Sequence, residues 1–342
     1  MKSFFSILVT FFLTGSVLFS QEKTWQLDIF NFFDNTEFAQ SAFTIPQTMA
    51  GVQVAPEFGI EWDSLHTVNI GMNLLHEYGS SKSIDIIYPT AYYELNTGKM
   101  RFLMGAFPRS GVIANYPRHF FRDSISYYRP NINGIFLEYW QYENYINLWL
   151  DWTSRKSKTV NEAFFIGFSG RYKSGTFYLQ HFGYMYHFAG KYDPVVHESL
   201  HDNLLFQTSV GVDFSEKTGL RKLEVNAGWV AGLERSRADN TGWISSNGVI
   251  VETRLEHKWF GIYNSFYRGG GLMNFYREHG NKLYWGDPVF RAKTYNRSDL
   301  YINFVQSHIL NIELTWSLHF LENRVYNEQM LKVIVNMSSL KI

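Results

Sequence analysis

From Leu310 to Phe320 the chain alternates without a break. Leu310, Ile312, Leu314, Trp316, Leu318 and Phe320 are apolar, and Asn311, Glu313, Thr315, Ser317 and His319 stand between them. A period of two puts the apolar set on one face of a strand and the polar set on the other, a separation that helical geometry would scramble. The same alternation runs through Phe206 to Phe214, Ile146 to Trp152 and Val68 to Leu74. Reading every such run predicts strands near 24–34, 52–62, 65–77, 84–95, 99–107, 133–141, 144–154, 162–172, 175–187, 203–215, 220–231, 246–257, 259–268, 298–306, 309–320 and 329–340. Their lengths cluster around the ~9–11 residues with which a tilted strand crosses a bilayer.

The connections alternate in length. Asp63-Ser64, Asn96-Thr97-Gly98, Tyr142-Glu143, Tyr172-Lys173-Ser174, Glu216-Lys217-Thr218-Gly219 and Ser307-His308 are tight turns, whereas 35–51, 108–132, 188–202, 232–245 and 269–297 are long loops. Short turns on one rim and long loops on the other is the pattern of outer-membrane barrels, and an even strand count returns both termini to the short-turn rim. The rival is a secreted pair of β-sandwiches. Sandwich strands average about five or six residues, and no Pro-, Gly- or Ser-rich linker divides the chain, so 21–342 reads as one domain.

Composition sharpens this reading. Charged residues are 18% of the chain, below the ~25% usual for soluble domains. Aromatics are also 18%, with 22 Tyr, 30 Phe and 10 Trp. A barrel in lipid accommodates both, with an apolar exterior, a polar lumen, and Tyr and Trp at the two interfaces. Lys2, the apolar run Phe4 to Phe19 and Ser20 predict a secretory signal peptide over 1–20, cut ahead of Gln21. No later stretch approaches the ~20 apolar residues of a transmembrane helix, and only helices and closed barrels satisfy their backbone in hydrocarbon. There are no cysteines, which excludes disulfides and thiolate metal sites. A net charge of zero gives no reason to expect nucleic acid.

The connection after the fifth predicted strand, residues 108–132, is long, aromatic and basic: Arg109, Arg118, Arg122 and Arg129 lie in it beside His119, Phe120, Phe121, Tyr127 and Tyr128. Connections longer than ~15 residues are usually functional or disordered, and this one is too aromatic for disorder. At this point the chain resembles the general porins, sixteen-stranded barrels whose third outer loop, after the fifth strand, folds inward to narrow the channel. The resemblance implies that 108–132 forms the constriction and that its arginines face the passage, where such rings favour anions. Alternatively they pair with lumen-phase carboxylates, Glu94, Glu138, Asp151, Glu252 and Glu313, and only pin the loop.

Three further groups were weighed. In 269–297, Tyr284, Trp285, Asp287 and Arg291 form either an exposed sugar-binding surface or an interfacial aromatic girdle. His197-Glu198-Ser199-Leu200-His201 matches H-E-x-x-H, a zinc motif on a helix. Pro194 and the strand expected near Asn203 leave room for only one or two turns, so His197 and His201 are at most a weak surface metal site. His187-Phe188-Ala189-Gly190 resembles a His-Gly-Gly type segment of Bacteroidota porin-like barrels. For a lipid-facing Ser-His pair, His181 and Ser209 fall on opposite phases, while His187 and Asp193 would lie high in the lumen.

The expectation is therefore an all-β transmembrane antiparallel barrel of about sixteen strands in the outer membrane, porin-like, with no chemistry of its own and no cofactor. Its expected partners are outer-membrane lipid and small hydrophilic solutes, alone or as a homo-oligomer. The alternatives are a plugged barrel presenting loops to a surface glycan or secretion partner, and an outer-membrane hydrolase acting through His187 or His197.

Overall fold

The computed structural model describes residues 21–191, 200–238 and 242–339. In chain order the strands are β1 (Glu22–Glu37), β2 (Gln47–Trp62), β3 (His66–Glu77), β4 (Ile86–Asn96), β5 (Met100–Pro108), β6 (Asn131–Gln141), β7 (Asn144–Ser154) and β8 (Glu162–Ser174). They continue as β9 (Phe177–Ala189), β10 (His201–Asp213), β11 (Lys222–Ser236), β12 (Ile244–His257), β13 (Phe260–Gly269), β14 (Thr294–Gln306), β15 (Leu310–Leu321) and β16 (Arg324–Ser338). Each pairs antiparallel with its chain neighbours, and β1 pairs with β16, so the sheet closes. Closure leaves no unpaired edge to be buried in hydrocarbon.

The strands stand where the alternation predicted them, with extensions at the long-loop end. β2 begins at Gln47 rather than 52, because Gln47 to Ala50 pairs with Phe33 to Thr36. β16 begins at Arg324 rather than 329. Glu322 and Asn323 both take positive φ, 56° and 59°, and close a two-residue hairpin of the kind whose twist matches paired strands. The polar run around that turn hides the strand from a periodicity reading.

One phase of every strand points outward, and that face is largely apolar. Phe58, Ile70, Ile146 and Val210 are 64–65% exposed on it, a face that only lipid can cover at this extent. Trp25 and Trp259 lie toward the short-turn rim, and Trp152 and Trp243 toward the long-loop rim, as interfacial girdles. One ladder is incomplete. β4 and β5 pair only from Ala91↔Ala106 to Asn96↔Arg101. Continuing that register would set Pro89 against Pro108, and neither has an N–H to donate.

The core lies inside the bore. Two segments turn inward from the long-loop rim: residues 109–130, carrying the short helix α1 (Ser124–Tyr128), and 270–293, carrying the single turn α2 (Tyr276–His279). Their apolar side chains pack against lumen-facing Trp149, Phe165, Phe182, Tyr184, Tyr186, Tyr267 and Tyr295. A barrel of this size has room in its lumen that its own wall side chains do not fill, and here the two segments occupy part of it.

Candidate functional site

The two inward segments are joined by backbone. Arg122 N donates to Trp285 O at 3.0 Å, and Asp287 N donates to Arg118 O at 2.9 Å. Between those bonds Gly286 lies so close to the other segment that a Cβ would stand 2.0 Å from His119 O, so only glycine fits. Tyr127 stacks on Phe32 of the wall, with ring centres 4.2 Å apart, and its hydroxyl donates to Asp34 at 3.1 Å. Tyr116 accepts from Trp149 Nε1 at 2.9 Å. His119 is fully buried between Phe120 and Phe290, and burial pushes its imidazole down to about 3. The segments thus form a plug.

Charge fixes the plug to the wall. Arg118 contacts Asp123 at 2.7 Å and Asp299 of β14 at 3.2 Å, and Asp123 reaches Lys332 of β16 at 3.3 Å. Burial would raise the Asp123 carboxyl, but Arg118, Lys332 and Arg297 outweigh it and hold it well below the usual carboxylate range. Arg297 in turn bonds Asp299 at 2.6 Å and Glu328 at 3.0 Å, and His319 lies 3.2 Å from Glu328. Arg109 pairs with Asp151 and donates to the carbonyls of Arg129 and Asn131. Arg129 sits over the Trp285 ring at 5.5 Å.

The predicted constriction residues are therefore only partly gathered. Arg109 and Arg118 pin the segment, and Arg122 lines the cavity beneath it. Of the five lumen carboxylates weighed as partners, only Asp151 takes a plug arginine. Glu94 pairs with Arg101, Glu138 accepts from Asn147, Glu252 from Tyr263 and Gln207, and Glu313 from Thr315. Tyr284 and Trp285 are not exposed: both are buried in the plug. The apolar environment of the bore, rather than solvent or lipid, takes their rings. Asp287 caps the following turn through Val289 N at 3.2 Å, and burial pushes its carboxyl up. Arg291 lies over Tyr276 at 4.2 Å. His197 lies outside the described residues, as does Asp193. His201 is buried on the lumen phase beside Phe275 and His279. Among the described residues no group of three or more His, Cys, Asp or Glu gathers as a metal site.

Below the plug the bore holds a cavity of about 860 Å³ that reaches wall residues of most strands. Its lining mixes apolar with charged groups, with Arg171, Lys222 and Arg254 on one side and Asp28 and Glu57 on another.

A second polar region faces the opposite way. The ladders set Trp152 of β7 against Phe164 of β8, Phe164 against His187 of β9, His187 against Asp202 of β10, and Asp202 against Arg235 of β11. These five form one row around the barrel, near the long-loop ends of their strands. Arg235 extends it over the Trp243 ring at 4.4 Å. Their phase is that of Ile146, Leu179, Val210 and Trp229, which stand exposed on the outer face. Trp152 stacks on Phe164 and Phe164 on His187, at 4.8 and 4.7 Å between ring centres. Asp202 accepts from Arg235 Nε at 2.6 Å and from Arg237 at 2.9 and 3.1 Å, while His187 Nδ1 faces its Oδ1 at 3.9 Å. One carboxylate thus meets two guanidinium groups and an imidazole, and the row carries excess positive charge.

Other histidines share the outward phase, among them His76 and His181. His76 faces Asp85 at 3.7 Å, but that carboxylate is already held by Ser80 and by Glu77 N at 2.7 Å. His181 meets Thr208 at 2.8 Å, with Ser209 on the lumen phase as its strand position required.

A family model described as lipid A 3'-O-deacylase-type matches residues 19–334. No curated protein sequence matches the chain. Among solved structures, a loop-deletion mutant of OmpT, an outer membrane protein of Vibrio cholerae, aligns with a TM-score of 0.57 at 8% identity, covering 93% of this chain and 100% of that one. The outer membrane protein OpdK from Pseudomonas aeruginosa aligns at 0.51 and 11%, covering 93% and 99%. At such identities these likenesses show the fold: an outer-membrane barrel, with lipid around it. The family match corrects one expectation. A barrel without chemistry of its own is at odds with a match to an enzyme family over nearly the whole chain.

Proposed function

Because the chain belongs to the lipid A 3'-O-deacylase-type family, we propose that it is an outer-membrane acyl-ester hydrolase whose working surface is the lipid-facing row Trp152–Phe164–His187–Asp202–Arg235–Trp243. The observation that carries this is the row itself. Charged side chains turned toward lipid are costly and rare away from a function, and these stand at the depth where headgroups and ester linkages lie. Lipid A is a phosphorylated, acylated glycolipid. Arg235 and Arg237, both partly exposed, offer guanidinium donors that suit phosphate. Trp152 and Trp243 fix the depth of the row at the interface.

His187 is placed to act as general base. It takes a proton from a water that adds to the ester carbonyl carbon. The ester C–O bond then breaks, the proton passes to the sugar oxygen to give the alcohol, and the fatty acid leaves and loses its remaining proton to solvent. Asp202 faces the imidazole from the Nδ1 side at 3.9 Å and balances its charge. The arginines lie where negative charge develops on the carbonyl oxygen. The test is incubation of the folded barrel with lipid A in mixed micelles, read by mass spectrometry. Loss of one ester-linked acyl chain by the wild type, and none by His187→Asn, is the expected result. An intact lipid A after prolonged incubation with wild type would remove the reading.

A second reading, passage of small hydrophilic solutes, is favoured by the charged groups that line the cavity below the plug. It requires the two inward segments to part. Discrete conductance steps in planar bilayers would support it.

A further inference from the structure

The wall of the cavity contributed by β1 to β4 carries a set of buried oxygen atoms that no other protein group satisfies. Glu57 of β2, Asn73 of β3 and Thr90 of β4 line the cavity and are only 6%, 8% and 3% exposed. Glu57 Oε1, Asn73 Oδ1 and Thr90 Oγ1 have no hydrogen-bond partner, and neither does Oδ1 of Asp28, their neighbour on β1. Buried polar atoms are ordinarily satisfied, so four open ones on adjacent strands call for an occupant.

The register sets them on neighbouring stretches of the wall. Glu57 lies opposite Gly71, and Gly71 opposite Thr90, so a carboxylate and a hydroxyl flank a position with no side chain. A Cβ on Gly71 would stand 2.7 Å from Glu57 Cγ and 2.4 Å from Pro56 O, so the gap is kept open by close approach. Asn73 is the next lumen residue on β3, and its orientation is dictated from above. The carbonyls of Ser126 and Tyr127 in the plug take Gln53 Nε2 at 2.9 and 2.6 Å. Gln53 Oε1 must then accept, and it takes Asn73 Nδ2 at 3.0 Å. The amide oxygen of Asn73 is left facing the cavity. Glu57 Oε2 is occupied by the Tyr92 hydroxyl at 3.2 Å, and Asp28 Oδ2 by Gln26 at 2.5 Å.

Three of the four open atoms can only accept, two of them on carboxylates, and the fourth, the Thr90 hydroxyl, can accept as well as donate. No Lys, Arg or His among the described residues makes an ion pair with Asp28 or Glu57, although the cations across the cavity do have partners: Arg171 and Lys222 pair with Glu224, and Arg254 with Glu256. We propose that Asp28, Glu57, Asn73 and Thr90 form a binding site for the primary ammonium group of a small organic cation held in the lumen below the plug. An ammonium supplies three donors and one positive charge, which is what this wall lacks. The cavity, about 860 Å³, has room for the rest of a small amine. The site is on the lumen phase and separate from the lipid-facing row.

The test is calorimetric titration of the detergent-folded full chain with putrescine. Saturable binding is expected, weakened at least about tenfold in Glu57→Gln and in Asp28→Asn, which keep size and shape. Heat-modifiable gel mobility checks that each variant remains a closed barrel. Tetramethylammonium, which has charge but no N–H, should bind at least about tenfold more weakly than putrescine. Absence of saturable binding, equal affinity in Glu57→Gln, equal affinity for tetramethylammonium, or calcium saturating the site while putrescine fails to compete would each overturn the proposal.

Discussion

The plug and the outer row spend their charges differently. In the bore, Arg118, Asp123, Asp299, Arg297, Glu328 and Lys332 neutralise one another within a few ångströms. Each guanidinium there faces the carboxylates that hold a segment to the wall. On the outer row Asp202 is the single carboxylate shared by Arg235, Arg237 and His187, and the phase it sits on is largely apolar. Neutral networks inside a protein are explained by the structure they hold. A cationic row turned to lipid is not, because the same strands close just as well with aliphatic residues there. The difference separates charges that build the barrel from charges that use it.

The sharpest break of that comparison is His187→Asn. Removing a general base typically costs about 10²–10⁴-fold in rate, so deacylation should fall by that order while barrel mobility on gels is unchanged. Next is Gly286→Val. A side chain cannot fit where a Cβ meets His119 O at 2.0 Å, and overpacking costs about 1–3 kcal/mol. Faster hydrogen exchange through 109–130 and 270–293 should follow, with deacylation retained. Arg118→Gln removes charge-assisted bonds to Asp123 and Asp299, worth about 2 kcal/mol to plug docking. Limited proteolysis of the inward segments would register it, and unchanged protection would count against the pinning role.

Acid tests the docked plug separately. His119 is held near 3 in the docked plug and titrates near 6.5 when released. A depressed histidine favours docking above about 6.5 and loses that contribution as pH falls toward 3, by about 1.4 kcal/mol per unit. Asp287, whose carboxyl is raised by burial, works in the opposite sense. His119→Phe should therefore leave plug exchange less sensitive to acid than in wild type. Equal acid sensitivity in the two proteins would contradict the assignment.

The strands were legible because lipid on one side and water on the other impose period two on the sequence, and the count of sixteen follows from it. The plug was not legible as a plug. Where a loop travels is not written in periodicity, and the aromatic run around Tyr284 and Trp285 reads equally as a girdle or a buried cluster. The outer row was legible only in part. The tight turn between β8 and β9 fixes Phe164 opposite His187 by counting outward from Ser174 and Phe177. Bringing His187 beside Asp202 crosses a long loop, whose length says nothing about register. The face of His187 was legible without the loop, because its phase in β9 is that of the exposed Phe177 and Leu179; the lumen position expected for it is wrong, and only its partner Asp202 was hidden.

The most direct measurement compares the two regions in one assay: mass spectra of lipid A after incubation with wild type, His187→Asn and Arg118→Gln. If the chemistry belongs to the outer row, Arg118→Gln releases the same acyl chain as wild type and His187→Asn releases none. Deacylation that survives in His187→Asn but is lost in Arg118→Gln would move the chemistry into the bore and contradict the account.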